Sequence, residues 1–265
     1  MKKITSADNP RFKGLLRLMQ SARERRNAGL SLLDGVHLVS AYREHVGPPE
    51  EVAVAASAFD NPEIVSLLSA LGSAPVIVLA DGLFAQLSTV ASPTGIVAAV
   101  RTPRALTAPV RLETCVMLED IQDPGNLGSI LRTAAAAGVR QVFLSPHSVH
   151  CWSPRVLRAG MGAHFALGIY EQADLPALVA RFPGTVVATD ARARRSIYDL
   201  DLAGPVAFLL GNEGAGLSPA LAGAAHVTAA IPIARGVESL NVAAAAAVAL
   251  FERVRQRKAV SRSGG

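Results

Sequence analysis

One eight-residue stretch, GNEGAGLS at 211–218, has the residue types and almost the spacing of a loop that binds nucleotide phosphates. A Walker loop places two glycines five residues apart and follows them with lysine and then serine or threonine. The glycines and the serine match, but Leu217 replaces the lysine, and the carboxylate of Glu213 would repel a phosphate oxygen. The pattern therefore argues against a triphosphate site and leaves either a simple glycine-rich turn or a loop for another ligand.

Two further polar stretches follow apolar runs. DIQDPGNLGSILRTAAAAG at 120–138 passes from a proline and glycine turn into a helix that we expect to begin near Asn126. With Asn126 at the helix cap, its side chain can turn toward the same cleft as Arg132. This stretch lacks the three-glycine pattern of a dinucleotide-binding turn. The last stretch, IPIARGVESLNVAAAAAVALFE at 231–252, carries a serine and an asparagine at the mouth of an alanine-rich helix.

The elements that must position these stretches alternate between apolar runs and helical segments. The strand-like runs of the second half are TCVMLE (114–119), QVFLS (141–145), FALGIY (165–170), TVVATD (185–190), PVAFLL (205–210) and HVTAAIPI (226–233). Apolar strands separated by helices predict a parallel sheet that is covered on both faces. Such sheets bind ligands at the carboxyl ends of their strands, where all three polar stretches lie.

The first half runs to about Val100 and is organised differently. A basic helical segment at 10–28 precedes the apolar runs EVAVAAS, PVIVLA and GIVAAV, which alternate with helical stretches. Residues 101–113 hold two prolines and no sustained periodicity, which is typical of a linker. We therefore predict two domains, 1–105 and 106–265.

Composition and charge limit the function classes. The 265 residues include only two cysteines, which argues against a disulfide framework and favours a reducing cytoplasm. The sequence shows neither the apolar core of a signal peptide nor a run long enough for a membrane span, so we expect a cytoplasmic protein without membrane contact.

The charge is concentrated at the two ends of the chain. Residues 1–30 carry a net +6 and residues 251–265 a net +4, whereas the rest carries −5. Basic ends on an acidic body predict peripheral contacts with a polyanion, with phosphates as the obvious partner. The alternative is that these are ordinary solvated helix faces.

Three other features are weaker candidates. HSVHC at 147–151 offers histidine and cysteine at a compressed spacing without a second ligand cluster, so we expect no metal site. Trp152 could stack on a nucleic-acid base or serve as a partly buried anchor. ARARRSIYD at 191–199 is either a contact for a phosphate backbone or an ordinary exposed loop.

Taken in order, DPGNLGSILRTAAAAG, LLGNEGAGLS and IPIARGVESLNVAAAA resemble the three signature motifs of the SpoU/TrmH family of RNA ribose 2'-O-methyltransferases in the SPOUT superfamily. The resemblance covers about residues 112–257. ITSADNPRFKGLLRL and SPTGIVAAV look like the substrate-binding domain of many members, although LLDG at 32–35 departs from the glutamate that relatives often carry before this glycine. The resemblance implies an α/β SPOUT catalytic domain with a parallel sheet and a C-terminal trefoil knot, preceded by a small α/β substrate-binding domain.

The resemblance also implies a cofactor, S-adenosylmethionine, which is a cation without phosphate and so needs no lysine in the loop. The residues implied to hold it, through backbone groups near its adenosine, are Gly211, Ile231 and Leu240, together with Leu210, Asn212 and Gly216.

For the chemistry, the resemblance implies that Arg132 engages the ribose and its phosphate. We expect it to polarise the hydroxyl or to fix a phosphate oxygen that accepts the proton, because a guanidinium is effectively never neutral. Further implied pocket residues are Asn126, Glu213, Ser239 and Asn241. The alternative for Glu213 and Asn241 is that they only hold loops by hydrogen bonds.

The implied partners are ribosomal RNA first and transfer RNA second, and a second copy of the chain, for which the final helix offers an apolar strip of Val242, Ala246, Ala249 and Leu250. Two rival functions remain, a dinucleotide-dependent α/β enzyme and a catalytically silent RNA-binding protein of the same fold. Binding of a nicotinamide cofactor would favour the first, and absence of methyl transfer would favour the second.

Overall fold

The computed structural model describes residues 2–88, 90, 93–103, 106–107 and 109–263. Residues 104, 105 and 108 of the predicted linker, and Ser92 of the SPTGIVAAV motif, lie outside the described residues. The described residues form two compact units, one within Met1–Arg104 and Trp152–Phe165 and the other within Ala105–Cys151 and Ala166–Gly265. None of the helices in the described ranges combines the length and apolar character needed to cross a membrane.

The first unit is built on a mixed five-stranded sheet in the order β1-β4-β3-β5-β2. Its strands are β1 (Lys2–Ile4), β2 (Leu30–Asp34), β3 (Glu51–Ala55), β4 (Val76–Leu79) and β5 (Ile96–Arg101). Its helices are α1 (Pro10–Gln20), α2 (Ala22–Ala28), α3 (Val36–His45), α4 (Pro62–Ala70), α5 (Asp81–Phe84) and α7 (Pro154–Gly160). Strands β3, β4 and β5 correspond to the three predicted apolar runs, whereas β1 and β2 were missed.

The basic segment predicted as one helix over 10–28 is two helices that meet at Ser21. Ser21 is extended, and its Oγ accepts a hydrogen bond from the backbone N–H of Glu24, so it caps the second helix. Arg25 is buried and donates to the carbonyls of Leu18 and Met19, which end the first helix. Burial, and then the charge of Arg26, lower the pKa of Arg25. One of the predicted phosphate-binding cations is therefore a structural group of this turn.

The segment Trp152–Phe165 belongs to the first unit through polar and aromatic contacts. Arg158 donates to Asp34 Oδ2 over 3.1 Å, and Phe165 packs edge-on against Tyr42 with ring centroids 5.5 Å apart. Trp152 is buried, with its ring 5.4 Å from that of His164. The anchor interpretation of Trp152 fits this burial better than base stacking.

The second unit is a parallel seven-stranded sheet in the order β10-β12-β9-β11-β6-β7-β8, with every described pairing parallel. Its strands are β6 (Cys115–Leu118), β7 (Gln141–Leu144), β8 (Gly168–Tyr170), β9 (Thr185–Thr189), β10 (Arg195–Ser196), β11 (Val206–Leu210) and β12 (Val227–Ala230). Its helices are α6 (Pro124–Ala136), α8 (Leu175–Ala180), α9 (Pro219–Ala224) and α10 (Val242–Ser263). The parallel sheet expected from the alternation of strands and helices is confirmed.

Two predicted strands are too long. FALGIY begins as a 3₁₀ helix, Ala163–Ala166, and pairs only from Gly168. HVTAAIPI stops pairing at Ala230, since its last residues turn into the loop that leads to α10. Strand β10 was missed because two residues inside an arginine-rich stretch carry no apolar pattern.

The strand order of the sheet reverses between β6 and β11. These strands are neighbours in the sheet but lie far apart in sequence. Both strands are fully buried and bring their following loops to the same edge. In open α/β sheets this reversal opens the crevice that binds ligands.

Helix α10 packs against α6 and β11. Ala246, Ala249 and Leu250 are buried at this contact within a single chain, with exposed fractions of 0–1%. These three residues are therefore not available as an exposed strip for a second copy, whereas Val242, the fourth residue of the predicted strip, is partly buried. Among the side chains of α10 that the structure describes, the large apolar one that is exposed is Phe251, at 47%.

Candidate functional site

The glycine-rich stretch forms a tight loop directly after β11. Asn212 and Gly216 exchange two backbone hydrogen bonds of 2.9 and 3.0 Å, which close the loop. Inside it, Asn212 Oδ1 accepts from the backbone N–H groups of Gly214 and Ala215. Glycine at 216 fits a backbone with φ +72°, a region that other residues rarely adopt. The loop thus supports itself without any phosphate.

Gly211 is required by space within this loop. A Cβ at this position would lie 2.2 Å from the backbone carbon of Gly216 and 2.2 Å from the backbone nitrogen of Leu217. These are backbone atoms of the closing residues, so they cannot move away without opening the loop. Any side chain at 211 therefore strikes the loop itself before it reaches a ligand.

The loop after β6 lies beside the glycine-rich loop and is bonded to it. Asp120 has a positive φ of 54°, which is uncommon for a residue other than glycine. Ser145, at the end of β7, fixes this turn by accepting from the Asp120 N–H and donating to its carboxylate at 2.6 Å. The Asp120 carbonyl accepts from Asn212 Nδ2 at 2.9 Å. A strained turn held from both neighbouring strands often marks a functional site.

Helix α6 begins earlier than predicted. Asp123 is its N-cap and accepts from the Asn126 N–H at 2.8 Å, while Pro124 occupies the first helical position. Asn126 is therefore inside the first turn and does not form the cap. Arg132, six residues on in the same helix, points about 120° round the axis from it, at about 100° per residue.

Three of the predicted site residues are joined by direct hydrogen bonds. Asn126 donates through Nδ2 to Glu213 Oε1 at 3.1 Å and accepts through Oδ1 from Asn241 Nδ2 at 2.9 Å. Asn241 also caps α10 by accepting from the N–H groups of Ala243 and Ala244. The loops after β6, β11 and β12 are therefore linked through one amide side chain.

Glu213 binds backbone groups as well as Asn126. Its carboxylate accepts from the N–H groups of Gln122 and Asp123 at 3.1 and 3.0 Å. Burial raises the pKa of Glu213, but the hydrogen bonds from Asn126, Asp123 and Gln122 outweigh it, so the net pKa lies below its usual value. The site therefore contains a carboxylate held in its charged form.

Two predicted catalytic residues lie outside this network. Arg132 is exposed, and within the described residues its side chain makes no hydrogen bond or ion pair. Ser239 is also exposed, in the loop before α10, and its hydroxyl has no partner in the part of the chain that the structure describes. The structure thus leaves both side chains accessible to a ligand and does not bring them to the Asn126 cluster.

The predicted cofactor residues occupy the ends of β11 and β12. Leu210 is the buried last residue of β11, and Gly211 follows it. Ile231 is the partly buried first residue after β12. Leu240 is 37% exposed immediately before Asn241, which is unusual for a leucine and leaves an apolar face at the loop.

Sequence reasoning missed the residues that brace these loops. Asp123 and Gln122 supply backbone donors to Glu213, and the Glu119 carboxylate accepts from the Ser218 N–H at 2.7 Å. For Asp123 a signal existed, because aspartate before proline is a typical start of a helix. A donor that acts through its backbone, as Gln122 does, has no sequence signature.

The remaining sequence candidates are the possible metal ligands and the arginine-rich stretch. Within the described residues no group of three His, Cys, Asp or Glu side chains is placed to hold a metal ion. Cys151 in the HSVHC stretch is buried, and burial followed by the charge of Glu171 raises its pKa. In ARARRSIYD, Arg192 and Arg194 are exposed in a loop that precedes the edge strand β10.

Each half of the chain matches the model of a known protein family. The model of the SpoU rRNA Methylase family matches residues 113–251, and the model of the MRM3-like substrate binding domain matches residues 9–98. An uncharacterised tRNA/rRNA methyltransferase of Synechocystis is 37% identical, covering 98% of this chain and 96% of that protein.

A second relative is the 23S rRNA (guanosine(2553)-2'-O)-methyltransferase RlmP of Bacillus subtilis, which is 30% identical over 95% of this chain and 98% of its own. The crystal structure of the SpoU methyltransferase AviRb from Streptomyces viridochromogenes with the cofactor AdoMet superposes with a TM-score of 0.84. It is 30% identical, and the match covers 94% of this chain and 98% of that one.

Proposed function

The chain belongs to the SpoU rRNA methylase family, and on that premise we propose that it is an S-adenosylmethionine-dependent ribose 2'-O-methyltransferase that acts on ribosomal RNA. The observation that carries this proposal is the hydrogen-bonded junction of Glu213, Asn126 and Asn241. It joins the three motif-bearing loops at the edge of the sheet where the strand order reverses. A dinucleotide-dependent enzyme would instead need a glycine fingerprint after its first strand, and residues 120–138 do not have it.

The donor set at this edge fits S-adenosylmethionine. The loop after β11 offers exposed backbone at Gly214 and Gly216, and Leu240 offers an apolar surface for a nucleoside. The charged Glu213 suits a cationic sulfonium and would repel a phosphate. We assign the cofactor to Leu210, Gly211, Asn212, Gly216, Ile231 and Leu240.

When bound, S-adenosylmethionine supplies an activated methyl group, so the protein mainly has to align the ribose hydroxyl and help it lose its proton. Alignment alone can lower a barrier by about 7–11 kcal/mol in favourable cases. Arg132 is the residue for this task, since it is an exposed cation on the helix that also carries Asn126 and has no partner within the described residues. It binds the phosphate beside the target ribose or polarises the hydroxyl, and it stays charged throughout.

The remaining site residues divide into positioning and contact roles. Asn126, Glu213 and Asn241 hold the loops by hydrogen bonds, so they act on the reaction through the geometry of the pocket. Ser239 has a free hydroxyl within the described residues and is the second group, after Arg132, that can contact RNA.

The proposal also includes the domain boundaries, the topology of the C-terminal segment, the oligomeric state and the location in the cell. We assign RNA substrate binding to residues 1–105, where a substrate-binding family model matches 9–98, and methyl transfer to residues 106–265, of which Trp152–Phe165 pack with the first unit. The C-terminal segment, including α10, forms a trefoil knot. The protein is a homodimer that uses exposed apolar groups such as Phe251, and it acts in the cytoplasm.

Methyl transfer from S-adenosylmethionine to purified RNA tests the proposal directly. We expect label on ribose 2'-oxygens of 23S-type ribosomal RNA. Arg132→Ala should lower turnover by about 100-fold or more, the scale of one lost electrostatic or acid-base contribution. Its affinity for S-adenosylmethionine, measured by calorimetry, should stay close to that of the wild type.

Three results would contradict parts of this proposal. Methylation of transfer RNA alone would correct the substrate. Failure to transfer methyl groups to any RNA, with RNA binding intact, would favour a silent binding protein. Loss of cofactor binding in Arg132→Ala would show that the role given to this arginine is wrong.

A further inference from the structure

A basic cleft lies at the end of the parallel sheet where the strands begin. The predicted methyl-transfer site lies at the other end, where the strands finish. The cleft has a volume of about 830 Å³ and reaches the starts of β6, β7, β9 and β11. Five arginines line it, and a single carboxylate, that of Glu113, accompanies them. The arginines are Arg111, Arg140, Arg181, Arg253 and Arg257.

These cations come from separate parts of the chain. Arg111 precedes β6, Arg140 immediately precedes β7, and Arg181 ends α8. Arg253 and Arg257 lie one turn apart on α10, so they share a helix face. Convergence of charges from four segments on one cleft is a property of the fold, and a run of basic residues in a flexible tail would not produce it.

Arg253 shows that the cleft is short of negative charge. Its side chain is only 7% exposed, and its Nη2 donates to the Gly204 carbonyl at 3.4 Å, a long hydrogen bond. Its buried Nε has no hydrogen-bond acceptor in the described part of the chain. Burial, and then the charge of Arg257, lower its pKa. A buried guanidinium without a carboxylate is costly and is stabilised by an added anion.

Three of the exposed arginines, Arg111, Arg140 and Arg181, are placed to bind such an anion. Within the described residues, Arg111 and Arg140 make no side-chain hydrogen bond or ion pair. Among the described residues, Arg181 donates only to the carbonyl of Pro109, at 3.3 Å, so no described carboxylate compensates its charge. Guanidinium groups bind phosphate oxygens in pairs of parallel hydrogen bonds, which makes arginine the usual residue for phosphate recognition.

We propose that this basic cleft binds phosphate groups of the RNA substrate at a second site, outside the methyl-transfer site. The proposal rests on the function given above. The two edges of the sheet are separated by about 17 Å, from a rise of about 3.3 Å per residue over a five-residue strand. A folded RNA can cover both edges, so the cleft would fix the orientation of the RNA while the opposite edge reacts.

The test is the salt dependence of RNA binding by the full-length protein, with deproteinised 23S ribosomal RNA as the probe. Arg140→Gln combined with Arg181→Gln removes two exposed charges. If each charge binds one phosphate, the slope of log K against log salt should fall by about 1.4–1.8. With an unchanged affinity extrapolated to 1 M salt, this slope corresponds to a loss of about 25- to 60-fold at 0.1 M.

A matched control keeps both charges at the same positions, through Arg140→Lys combined with Arg181→Lys, because the salt slope depends on the number of charges that bind phosphates. We expect it to leave the slope nearly unchanged, and both double variants to keep the wild-type unfolding temperature and affinity for S-adenosylmethionine. An unchanged slope in the cleft variant, or an equal loss in the control, overturns the proposal. Loss of inorganic pyrophosphate binding with an unchanged RNA slope also overturns it, because the cleft would then serve a small anion.

Methyl transfer to RNA is measured in parallel, so that the two proposals can fail separately. If the wild-type protein methylates RNA and the cleft variant binds RNA normally, the cleft is not an RNA site and the proposed function stands. Weaker RNA binding by the cleft variant of a protein that methylates no RNA supports the cleft as an RNA site and rejects the enzymatic function.

Discussion

Alanine at position 211 would test whether the loop after β11 is built as the structure describes. Its Cβ would lie 2.2 Å from backbone atoms of Gly216 and Leu217, and 2.3 Å from the Gly216 carbonyl oxygen. To reach ordinary contact at 3.4 Å, the two sides of the loop must separate by more than 1 Å. Because that separation is comparable to the stretch that breaks a hydrogen bond, the pair between Asn212 and Gly216 should be lost.

The energetic cost follows from these contacts. Two backbone hydrogen bonds contribute about 1–3 kcal/mol together, at about 0.5–1.5 kcal/mol each. The strain of forcing a methyl group into closed backbone is of similar size, about 1–3 kcal/mol. We therefore expect Gly211→Ala to lower the free energy of unfolding by about 2–6 kcal/mol, taking both contributions together.

Urea unfolding and calorimetric titration with S-adenosylmethionine measure the two consequences. Gly211→Ala should be destabilised and should also lose most of its affinity for the cofactor, because the loop that would hold it has opened. Gly214→Ala is the matched control for stability, since its Cβ would lie 3.6 Å from the nearest atom, Asn212 Oδ1. Wild-type stability in the Gly211 variant, or equal destabilisation of both variants, would refute the reasoning.

Four further predictions concern charge, stability and assembly. The pKa of Glu213 is lowered in the folded state, so its contribution to the free energy of unfolding should be present above the usual glutamate pKa of 4.5 and should be lost as the pH falls below it. In a series of urea unfolding curves at different pH, Glu213→Gln should therefore reduce the loss of stability below pH 4.5. Arg23→Gln should lower the salt slope of RNA binding by about 0.7–0.9. Arg25→Gln should instead cost about 1–3 kcal/mol in urea unfolding, because its buried hydrogen bonds are lost. Light scattering at micromolar concentration should find a dimer that Phe251→Glu converts to a monomer, and a monomeric wild type would contradict this.

The sequence was sufficient to predict the parallel sheet, because six of its seven strands are short apolar runs and each of those is followed by a helix or a polar loop. It failed where a residue's role depends on a distant partner. Arg25 reads as one more cation in a basic segment, and only its burial against the end of α1 shows that it is structural. Ala246 reads as part of an exposed apolar strip, because helical spacing cannot say which of two faces is already covered by α6.

For the site, the sequence could identify the three loops but not how they hold one another. The resemblance implied a backbone contact between Gly211 and the cofactor, which stays a prediction, and the structure adds that a Cβ at 211 would strike the backbone of Gly216. Asn126 was expected at a helix cap, and Asp123 has that role. The cap at Asp123 had a sequence signal, since aspartate before proline is a typical start of a helix. The crowding at Gly211 had none, because the approach of two backbone segments depends on the folded path of the loop.

The hydrogen bond between Asn126 and Asn241 has a consequence for folding during synthesis on the ribosome. The two residues are separated by 115 positions in the chain. At about 5–20 residues per second, a ribosome needs about 6–23 s to pass from one to the other. Throughout that interval the side chain of Asn126 has no Asn241 to bind, and α10 has not yet reached α6. The hydrogen-bonded junction of the three loops can therefore form only after Asn241 has been synthesised, and it is a long-range contact of the kind that makes a fold slow to form.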